Sequence, residues 1–281
     1  MGKRKKKKSV LLTLLLVLAL IAGLSLLLYP TVADFWNSLH QSRAIASYVE
    51  SVEELDDEAY EEIWAAAQEY NAALPGDDSR FVPDEEELER YESLLNVGGD
   101  GIMGYVEIEK IDVLLPIYHG ASEEVLQVAI GHIPGSSLPV GGAGTHCVIS
   151  GHRGLPSAKL FTDLDQLEDG DTFMLHVLGE TLTYEVDQIR IVEPDDLTYL
   201  ALEPGADYCT LVTCTPYGVN SHRLLVRGHR IETPEEETDF AERILADARL
   251  FDNTRVAAIL TAPILLLMLL GYFIVHRRTR R

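Results

Sequence analysis

Basic residues and cysteines are scarce in the long middle stretch of this sequence. The shortage of basic residues excludes nucleic-acid binding, and the small number of cysteines limits the disulfides that can form. Between Thr31 and Arg255 there are 13 of the 23 basic residues but all 45 acidic residues. Such a stretch does not bind nucleic acid, because neutralising phosphates requires clustered lysine and arginine. The three cysteines are an odd number, so they cannot all be paired in disulfides.

The acidic middle stretch is nevertheless predicted to fold. The chain is 47% hydrophobic, and its valine, isoleucine, leucine and aromatic residues recur throughout. This content supplies a core and excludes a disordered acidic tail. The remaining basic residues lie in two short clusters, Lys3 to Lys8 and Arg277 to Arg281. The formal net charge of -22 therefore describes an acidic domain between two basic ends.

Two long segments without a charge predict a transmembrane helix at each end. Ser9 to Tyr29 and Val256 to Val275 hold 21 and 20 residues. At 1.5 Å per residue each reaches about 30 Å, the thickness of a hydrocarbon core. The basic flanks predict that both termini are cytoplasmic and that the middle lies outside the membrane. A signal peptide cleaved near Thr31-Val32-Ala33 is the alternative for the first segment, but its apolar run is longer than the usual signal core.

Between these segments, helical patterns give way to a β-rich region. Helices are predicted at Glu50 to Leu74, Asp84 to Leu95, Glu123 to Ile130 and Ala158 to Leu167. Strands are predicted at Tyr105 to Ile108, Val113 to Ile117, Thr145 to Ser150, Tyr208 to Thr213 and Leu224 to Ile231, with a hairpin over Thr172 to Val192 that turns around Gly179-Glu180. Thr233-Pro234 predicts the start of another helix that leads to the second span.

Cys214 is the candidate nucleophile, because it ends an apolar strand and opens into the turn-rich sequence Thr-Pro-Tyr-Gly. His152 follows another apolar strand within Ser-Gly-His-Arg-Gly, and Arg223 begins a third. A thiol needs a nearby base or cation to react as thiolate, and these residues provide both. Cysteine, histidine and arginine at the same end of neighbouring strands predict an acyl-transfer site.

These motifs resemble the sortases, in particular the class C enzymes that assemble pili in Gram-positive bacteria. The resemblance is carried by Ser-Gly-His-Arg-Gly and by Thr-Leu-Val-Thr-Cys-Thr-Pro-Tyr-Gly-Val-Asn, and it extends over the whole exported domain and both membrane segments. It implies a mainly β fold, a closed eight-stranded barrel with short helices. His152, Cys214 and Arg223 fall on the family's catalytic positions.

The resemblance also implies an activity. Cys214 would cleave an LPXTG-like sorting signal between threonine and glycine, form a thioester, and pass the acyl group to a lysine of the next pilin subunit. His152 would serve as general acid and base, and Arg223 would hold the substrate and its oxyanion. The alternatives are a sortase that attaches surface proteins to the cell wall, and a non-catalytic adhesin or assembly factor with a sortase-like barrel.

The implied domain boundaries divide the chain into seven parts. They are a basic tail at 1–8, an anchor at 9–29, an extracellular helical segment at 30–100, the catalytic barrel at 101–232, a juxtamembrane helix at 233–255, a second span at 256–275 and a basic tail at 276–281. Many class C sortases cover the site with a lid that bears an Asp-Pro-aromatic triplet, and no such triplet occurs between Pro75 and Asp84. Asp78 is a candidate partner for Arg223 and Phe81 a candidate cover for Cys214; a plain surface loop is the alternative.

Cys147 and Cys209 each precede a candidate catalytic residue by five positions. Because strand side chains alternate, both are predicted to point away from the catalytic face. If the family's pairing of these strands holds, the two thiols are neighbours, either as buried free cysteines or as a disulfide. No cofactor and no metal are assigned, although His146 and His152 are zinc ligands by residue type.

Overall fold

The computed structural model describes the backbone of residues 2–233 and the side chains from residue 15 onward. The predicted juxtamembrane helix and second span lie outside the described residues. Four α-helices occur in the described part: α1 (Gly2–Glu53), α2 (Asp57–Ala73), α3 (Glu85–Ser93) and α4 (Glu123–Leu126).

Eight strands close into a barrel. They are β1 (Ile102–Ile108), β2 (Val113–His119), β3 (Ile130–His132), β4 (Thr145–Ser150), β5 (Thr172–Val177), β6 (Glu180–Val192), β7 (Asp207–Thr215) and β8 (His222–Ile231). Around the barrel they follow the order β1-β2-β3-β4-β7-β8-β6-β5. Closure pairs every strand on both sides and leaves no open sheet edge. The prediction of a mainly β fold with a closed eight-stranded barrel is confirmed.

The barrel interior is filled by alternating apolar side chains. The rings of Phe173 and Tyr184 stack with centroids 5.6 Å apart, and both side chains are fully buried. All seven residues of β1 are buried, including those that face outward, because α1 packs over this strand. Burying an aromatic ring of this size stabilises a fold by about 2–3 kcal/mol. The core therefore extends beyond the barrel to the helix outside it.

The apolar N-terminal segment forms the first half of α1. From Leu15 this helix is long and apolar enough to cross a membrane, with a mean hydropathy of 2.3 in its most apolar window and none of that window buried. Pro30 lies inside the helix, which continues through it. The predicted anchor is therefore a helix of the expected length and composition.

The second half of α1 lies along the barrel, which the sequence patterns did not predict. The contacting residues recur at three- and four-residue spacing and so form one stripe of the helix. Asn37 Nδ2 donates to the Ser157 carbonyl at 2.8 Å, and Gln41 Nε2 donates to the Val128 carbonyl at 2.6 Å. Tyr48 is buried, and its hydroxyl donates to the Met103 carbonyl at 3.1 Å and accepts from Leu178 N at 2.8 Å. The anchor helix and the barrel are thus joined by side-chain contacts.

Three helix predictions were wrong in extent. The single helix from Glu50 to Leu74 is interrupted, because Asp56 caps a new helix by accepting a hydrogen bond from Ala59 N at 2.9 Å. The helix at Glu123 to Ile130 ends at Leu126, since Ile130 pairs with β2 as part of a third strand. Within 158–167 only a short 3-10 turn forms, Leu164–Gln166.

The hairpin prediction is confirmed with its turn moved by one residue. β5 and β6 pair in antiparallel fashion from Thr172↔Glu185 to Val177↔Glu180. The two turn residues are Leu178 and Gly179, with φ of 51° and 81°. Positive φ at both positions is the signature of the tight turn that suits the twist of paired strands.

Candidate active site

Cys214 and Arg223 lie opposite each other at one end of the barrel. They are Cα partners in the antiparallel pairing of β7 with β8. Cys209 and Leu211 on β7 are buried in the interior, so Cys214 points to the outer face by alternation. The Cys214 side chain is half-buried, and its thiol is free. A reactive thiol and a guanidinium therefore share one face at the end of two neighbouring strands.

His152 is held near this pair by hydrogen bonds between the end of β4 and β7. Gly151 N donates to the Val212 carbonyl at 3.0 Å, and Thr213 Oγ1 donates to the Gly151 carbonyl at 2.7 Å. A side chain at Gly151 has no room, because an added Cβ would lie 2.6 Å from the Phe161 ring. The glycine before the histidine is thus required by packing. These bonds fix the histidine's backbone beside the strand that ends in Cys214.

The imidazole of His152 has one ring nitrogen that makes no hydrogen bond. Its Nε2 is buried and has no hydrogen-bond partner, and the nearest carboxylate oxygen, Glu123 Oε2, is 3.7 Å away. Glu123 is itself held by Gln127, whose Nε2 donates to Glu123 Oε1 at 2.5 Å. An unpartnered ring nitrogen is free to exchange a proton with a substrate. Glu123 was not a candidate from sequence, because nothing in its helical pattern points to His152.

The Arg223 guanidinium is not neutralised. Its Nη1 donates only to the carbonyls of Asn220 at 3.4 Å and His222 at 3.2 Å. Among residues 15–233 no carboxylate lies within ion-pair distance of it. Its strand neighbour Arg227, by contrast, forms a bidentate pair with Asp187 at 2.9 Å. Arg223 is therefore available to an anionic or developing oxyanionic group.

His222 has a local role of its own. Its Nε2 lies 3.3 Å from Glu193 Oε1, and its Nδ1 lies 2.8 Å from Ser221 Oγ. These contacts agree with the interpretation that this histidine forms hydrogen bonds beside Arg223 and is not the base.

The segment from Asp77 to Asp84, here called the lid segment, lies against the outer face of the barrel. Phe81 packs against an apolar cluster of Val148, Val192, Leu200 and Leu225, and Val212 packs against the same cluster. Val212 and Leu225 are Cα partners, two residues along their strands from Cys214 and Arg223. Because positions two apart on a strand share a face, Phe81 occupies the surface that continues from the candidate site.

The expected pairing of Asp78 with Arg223 is absent from the described residues. The charged residue of the lid segment that is buried is instead Arg80. Its Nη2 donates to the Leu200 carbonyl at 2.5 Å, and its guanidinium lies 4.5 Å from the centroid of the Phe81 ring. Its Nε and Nη1 are buried without a hydrogen-bond partner, so the bond from Nη2 and the contact with the Phe81 ring compensate only part of the cost of burying this cation. A lone arginine among acidic residues is the sequence signal that could have identified it.

Cys147 and Cys209 lie inside the barrel as free thiols. They are Cα partners in the parallel pairing of β4 with β7, and both are buried. Burial raises the pKa of the Cys209 thiol well above its ordinary value. The predicted orientation, away from the catalytic face, is confirmed. Of the three cysteines only Cys214 is open to solvent.

His146 is engaged by two protein groups. Its Nδ1 donates to the Ala201 carbonyl at 2.9 Å, and its Nε2 accepts from Thr210 Oγ1 at 2.7 Å. This pattern fixes the neutral tautomer. Burial lowers the pKa of His146 to about 4. Within the described part of the chain no group of three histidine, cysteine or carboxylate residues is arranged to hold a metal.

Comparison with known proteins places this geometry in a family. The sortase domain model matches residues 106–231. Sortase C1 of Streptococcus agalactiae superposes with a TM-score of 0.66 and 52% identity, over 68% of this chain and 100% of that one. Sortase C of Streptococcus pneumoniae superposes with a TM-score of 0.60 and 46% identity, over 68% of this chain and 97% of that one.

Among curated proteins, sortase D of Bacillus subtilis is 31% identical over 131 residues, which are 46% of this chain and 63% of that protein. The chain spans between 56% and 63% of the length of the first curated relatives it matches. The resemblance to sortases, including those of class C, is confirmed by these matches.

Proposed function

We propose, because this chain belongs to the sortase family of cysteine transpeptidases, that it joins pilin subunits through a thioester at Cys214. The proposed donor is an LPXTG-like sorting signal at the end of one pilin. The proposed acceptor is a lysine amine of the next subunit. The similarity to class C structures supports this choice, since the pneumococcal relative has specificity for pilin substrates.

In the first half-reaction, the Cys214 sulfur, whose proton His152 holds, attacks the carbonyl carbon of the threonine in the sorting signal. The carbon–nitrogen bond to glycine breaks, and His152 gives a proton to the departing amine. The negative charge that develops on the carbonyl oxygen lies opposite a permanent cation, Arg223. Backbone N–H groups can add to this stabilisation. The products are a thioester and a free amino terminus.

In the second half-reaction, a neutral lysine amine attacks the thioester carbonyl. His152 accepts a proton from the attacking nitrogen, the carbon–sulfur bond breaks, and the Cys214 sulfur leaves. The product is an isopeptide bond between two subunits. Water in place of the amine would give hydrolysis, so the outcome depends on which nucleophile reaches the thioester.

The single observation that carries this proposal is the combination of an accessible thiol with a cation that has no carboxylate partner in the described chain. Cys214 and Arg223 are cross-strand partners on one face, and no carboxylate within ion-pair distance competes for the guanidinium among residues 15–233. A purely structural arginine at this position would be expected to have an acidic partner, as Arg227 does. A binding module would not need the thiol.

The test uses the purified full chain, a fluorescent LPXTG-type peptide and a lysine-bearing pilin fragment. We expect a covalent peptide adduct of the intact protein by mass spectrometry, and a joined peptide–pilin product when the fragment is present. Cys214→Ala should form neither. Cys209→Ala is the matched control, since its thiol is buried and should leave the adduct unchanged.

Cleavage of the peptide without any joined product would overturn the pilin assignment but keep the sortase chemistry. Absence of an adduct in both the wild-type chain and a variant with an opened lid segment would contradict the transpeptidase proposal. The same assay with a peptidoglycan-like amine as acceptor would distinguish cell-wall attachment from polymerisation.

The location that suits this activity is the outer face of the cell membrane. The apolar first half of α1 supports one anchor. We add to the proposal a second span at 256–275, with both termini cytoplasmic and the catalytic barrel outside, on the strength of the basic flanks alone. Protease treatment of intact cells, followed by detection of tags at each terminus, tests this orientation.

The lid segment is proposed to regulate access to the site. Phe81 packs against the apolar cluster that contains Leu225, two residues along β8 from Arg223, and a substrate that needs this surface must first displace it. Displacement also breaks the hydrogen bond between Arg80 and the Leu200 carbonyl.

A further inference from the structure

One end of the barrel meets the apolar helix without a linker. No charged residue occurs from Ser9 to Ala33. The next residue, Asp34, already contacts the catalytic domain, because its carboxylate accepts a hydrogen bond from Lys159 N at 2.7 Å. Since a helix rises 1.5 Å per residue, the barrel begins within about 2 Å of the end of the uncharged stretch, measured along the helix axis.

The orientation of this end relative to α1 is fixed. Asn37 and Gln41 donate to the loop carbonyls of Ser157 and Val128, and Tyr48 is buried further along the helix. From Asp34 to Tyr48 these contacts span about 21 Å of one helix stripe. A helix held at several levels along one stripe does not rotate against the barrel. The same barrel end therefore always lies nearest to the apolar half of the helix.

This end exposes large apolar and aromatic side chains. Tyr29, Phe35, Trp36 and Val128 are 57%, 45%, 37% and 47% exposed. Beside Trp36 a cavity of about 280 Å³ opens between α1 and the barrel. It is lined mostly by apolar groups, including Ala44, Pro116, Tyr118 and Ala129. Tryptophan and tyrosine are the side chains that favour the boundary between a bilayer and water.

We propose that the aromatic side chains of Tyr29, Phe35 and Trp36, at the junction of the apolar helix and the barrel, lie among the lipid headgroups of the bilayer. The lipid surface is the fitting occupant because these residues continue directly from the uncharged stretch: Trp36 lies about 4.5 Å beyond Ala33 along the helix axis, within a headgroup layer of about 5–7 Å. A protein partner would not need the surface to be continuous with the apolar helix. The proposal rests on the membrane anchoring proposed above and assigns the face of the catalytic domain that contacts the membrane.

This surface also determines the height of the active site. The loop from Arg153 to Leu160, which follows His152, is the part of the barrel that Asp34 and Asn37 contact. Its base is closed by the hydrogen bond from Phe161 N to the His152 carbonyl at 3.1 Å. The histidine is thus one short loop away from the lipid surface.

The two tryptophans of the chain allow a direct test. The full-length Trp64→Phe variant retains Trp36 as its only tryptophan, and is reconstituted in phosphatidylglycerol–phosphatidylethanolamine vesicles. We expect lipid brominated near the acyl carbonyl to remove most of the Trp36 emission, and lipid brominated at the chain end to remove much less. Trp36→Phe is the matched control. Its remaining Trp64 packs on α2 against Tyr60, so its emission should be unchanged by either lipid.

Three results would overturn the proposal. If the protein floats with the vesicles but Trp36 is quenched by aqueous iodide and not by brominated lipid, the patch faces water although the anchor is correct. If neither quencher reaches Trp36, protein covers the patch. If the protein does not float, anchoring and surface fail together. Peptide cleavage by the same samples is measured separately, so the transpeptidase proposal is judged independently of the fluorescence.

Discussion

Arg223 illustrates how a single residue's surroundings determine what it can do. Arg227 lies on the same face of β8 but is paired with Asp187 and lies 4.0 Å from the centroid of the Tyr208 ring. Arg223 has only carbonyl acceptors. An unneutralised guanidinium can stabilise an oxyanion. This difference between two arginines of one strand makes Arg223 the proposed catalytic cation.

Arg223→Ala should therefore lower kcat/KM for peptide cleavage by about 10²–10³-fold, the usual cost of removing one oxyanion donor. The melting temperature should stay close to wild type, because no ion pair is lost. Arg190→Ala is the control, since Arg190 is an exposed arginine of β6 that lies 5.7 Å from the Tyr199 ring. Equal losses in both variants would argue for a general charge effect.

His146 makes the stability of the domain depend on pH. Burial lowers its pKa from 6.5 to about 4. A histidine that is neutral in the fold stabilises it fully above the unfolded pKa, and this contribution is lost as the pH falls through the folded one. Between pH 6.5 and 4 the loss should reach about 3 kcal/mol. His146→Gln should flatten the dependence of unfolding free energy on pH in urea titrations.

His119 also has a pKa lowered by burial, so the His146→Gln variant should retain part of the slope. The exposed His40 offers the matched control, because His40→Gln removes a histidine that is not buried. A slope that is unchanged in His146→Gln would show that another group is responsible.

At the residue level, the sequence was informative where local pattern and chemistry coincide. Cys214 ends an apolar run and His152 follows one, and this pattern predicts that each lies at the end of a strand; that the two strands are neighbours was implied by the resemblance to sortases. Glu123 and Arg80 were missed because their contacts, with His152 and the Leu200 carbonyl, join segments far apart in the chain. Spacing along the sequence contains no information on such contacts.

Among the elements, the lid segment is the one proposed to regulate access to the site. Phe81→Ala removes the ring that covers the cluster around Val212 and Leu225. We expect the alkylation rate of Cys214 by iodoacetamide to rise several-fold, because the ordered position of the segment depends on this burial. The measurement is mass spectrometry of the Cys214 peptide over time.

The neighbouring Val82 provides a control for that experiment, since its side chain is 81% exposed. Val82→Ala should leave the alkylation rate unchanged. Asp78→Ala should also have little effect, because Asp78 forms no ion pair in the described structure. A faster reaction in Asp78→Ala than in Phe81→Ala would support the hypothesis of an acidic lid contact.

Strands were predicted better than helices. Runs such as Thr145 to Ser150 matched β4, because alternation and β-branched residues define a strand locally. The helix expected at Ala158 to Leu167 failed for a tertiary reason. Lys159 N donates a hydrogen bond to the Asp34 carboxylate of α1, and Leu160 adopts a φ of 40°, which lies outside the α-helical region. Contacts with a distant helix overrode the local apolar pattern.

For the whole molecule, the second half of α1 packs on the barrel and belongs to the same folded unit. Tyr48 links α1 to two barrel segments, the Met103 carbonyl and Leu178 N. Tyr48→Phe leaves both groups buried without a partner and should destabilise the domain by about 2–4 kcal/mol in urea unfolding. Tyr60→Phe should cost far less, since its hydroxyl donates to an exposed Glu180 at 3.3 Å.

If Tyr48→Phe were no more costly than Tyr60→Phe, α1 would be a tether that contacts the barrel without stabilising it. The sequence did not predict this contact because Asn37 and Gln41 face the barrel with polar side chains. An amphipathic pattern is recognised by its apolar stripe, and here part of that stripe is made of hydrogen-bonding amides. The boundary at 29/30 between anchor and extracellular segment stays a prediction, because α1 runs through it without a break.

Because no linker precedes Asp34, the barrel is held at a fixed height above the membrane. A domain on a flexible tether samples many heights, and its effective concentration at any one height is low. A barrel that packs directly on the helix stays at one height. The enzyme and a substrate in the same bilayer therefore meet by lateral diffusion in the plane of the membrane. Each residue inserted after Ala33 would lift the barrel by about 1.5 Å and turn it by about 100°.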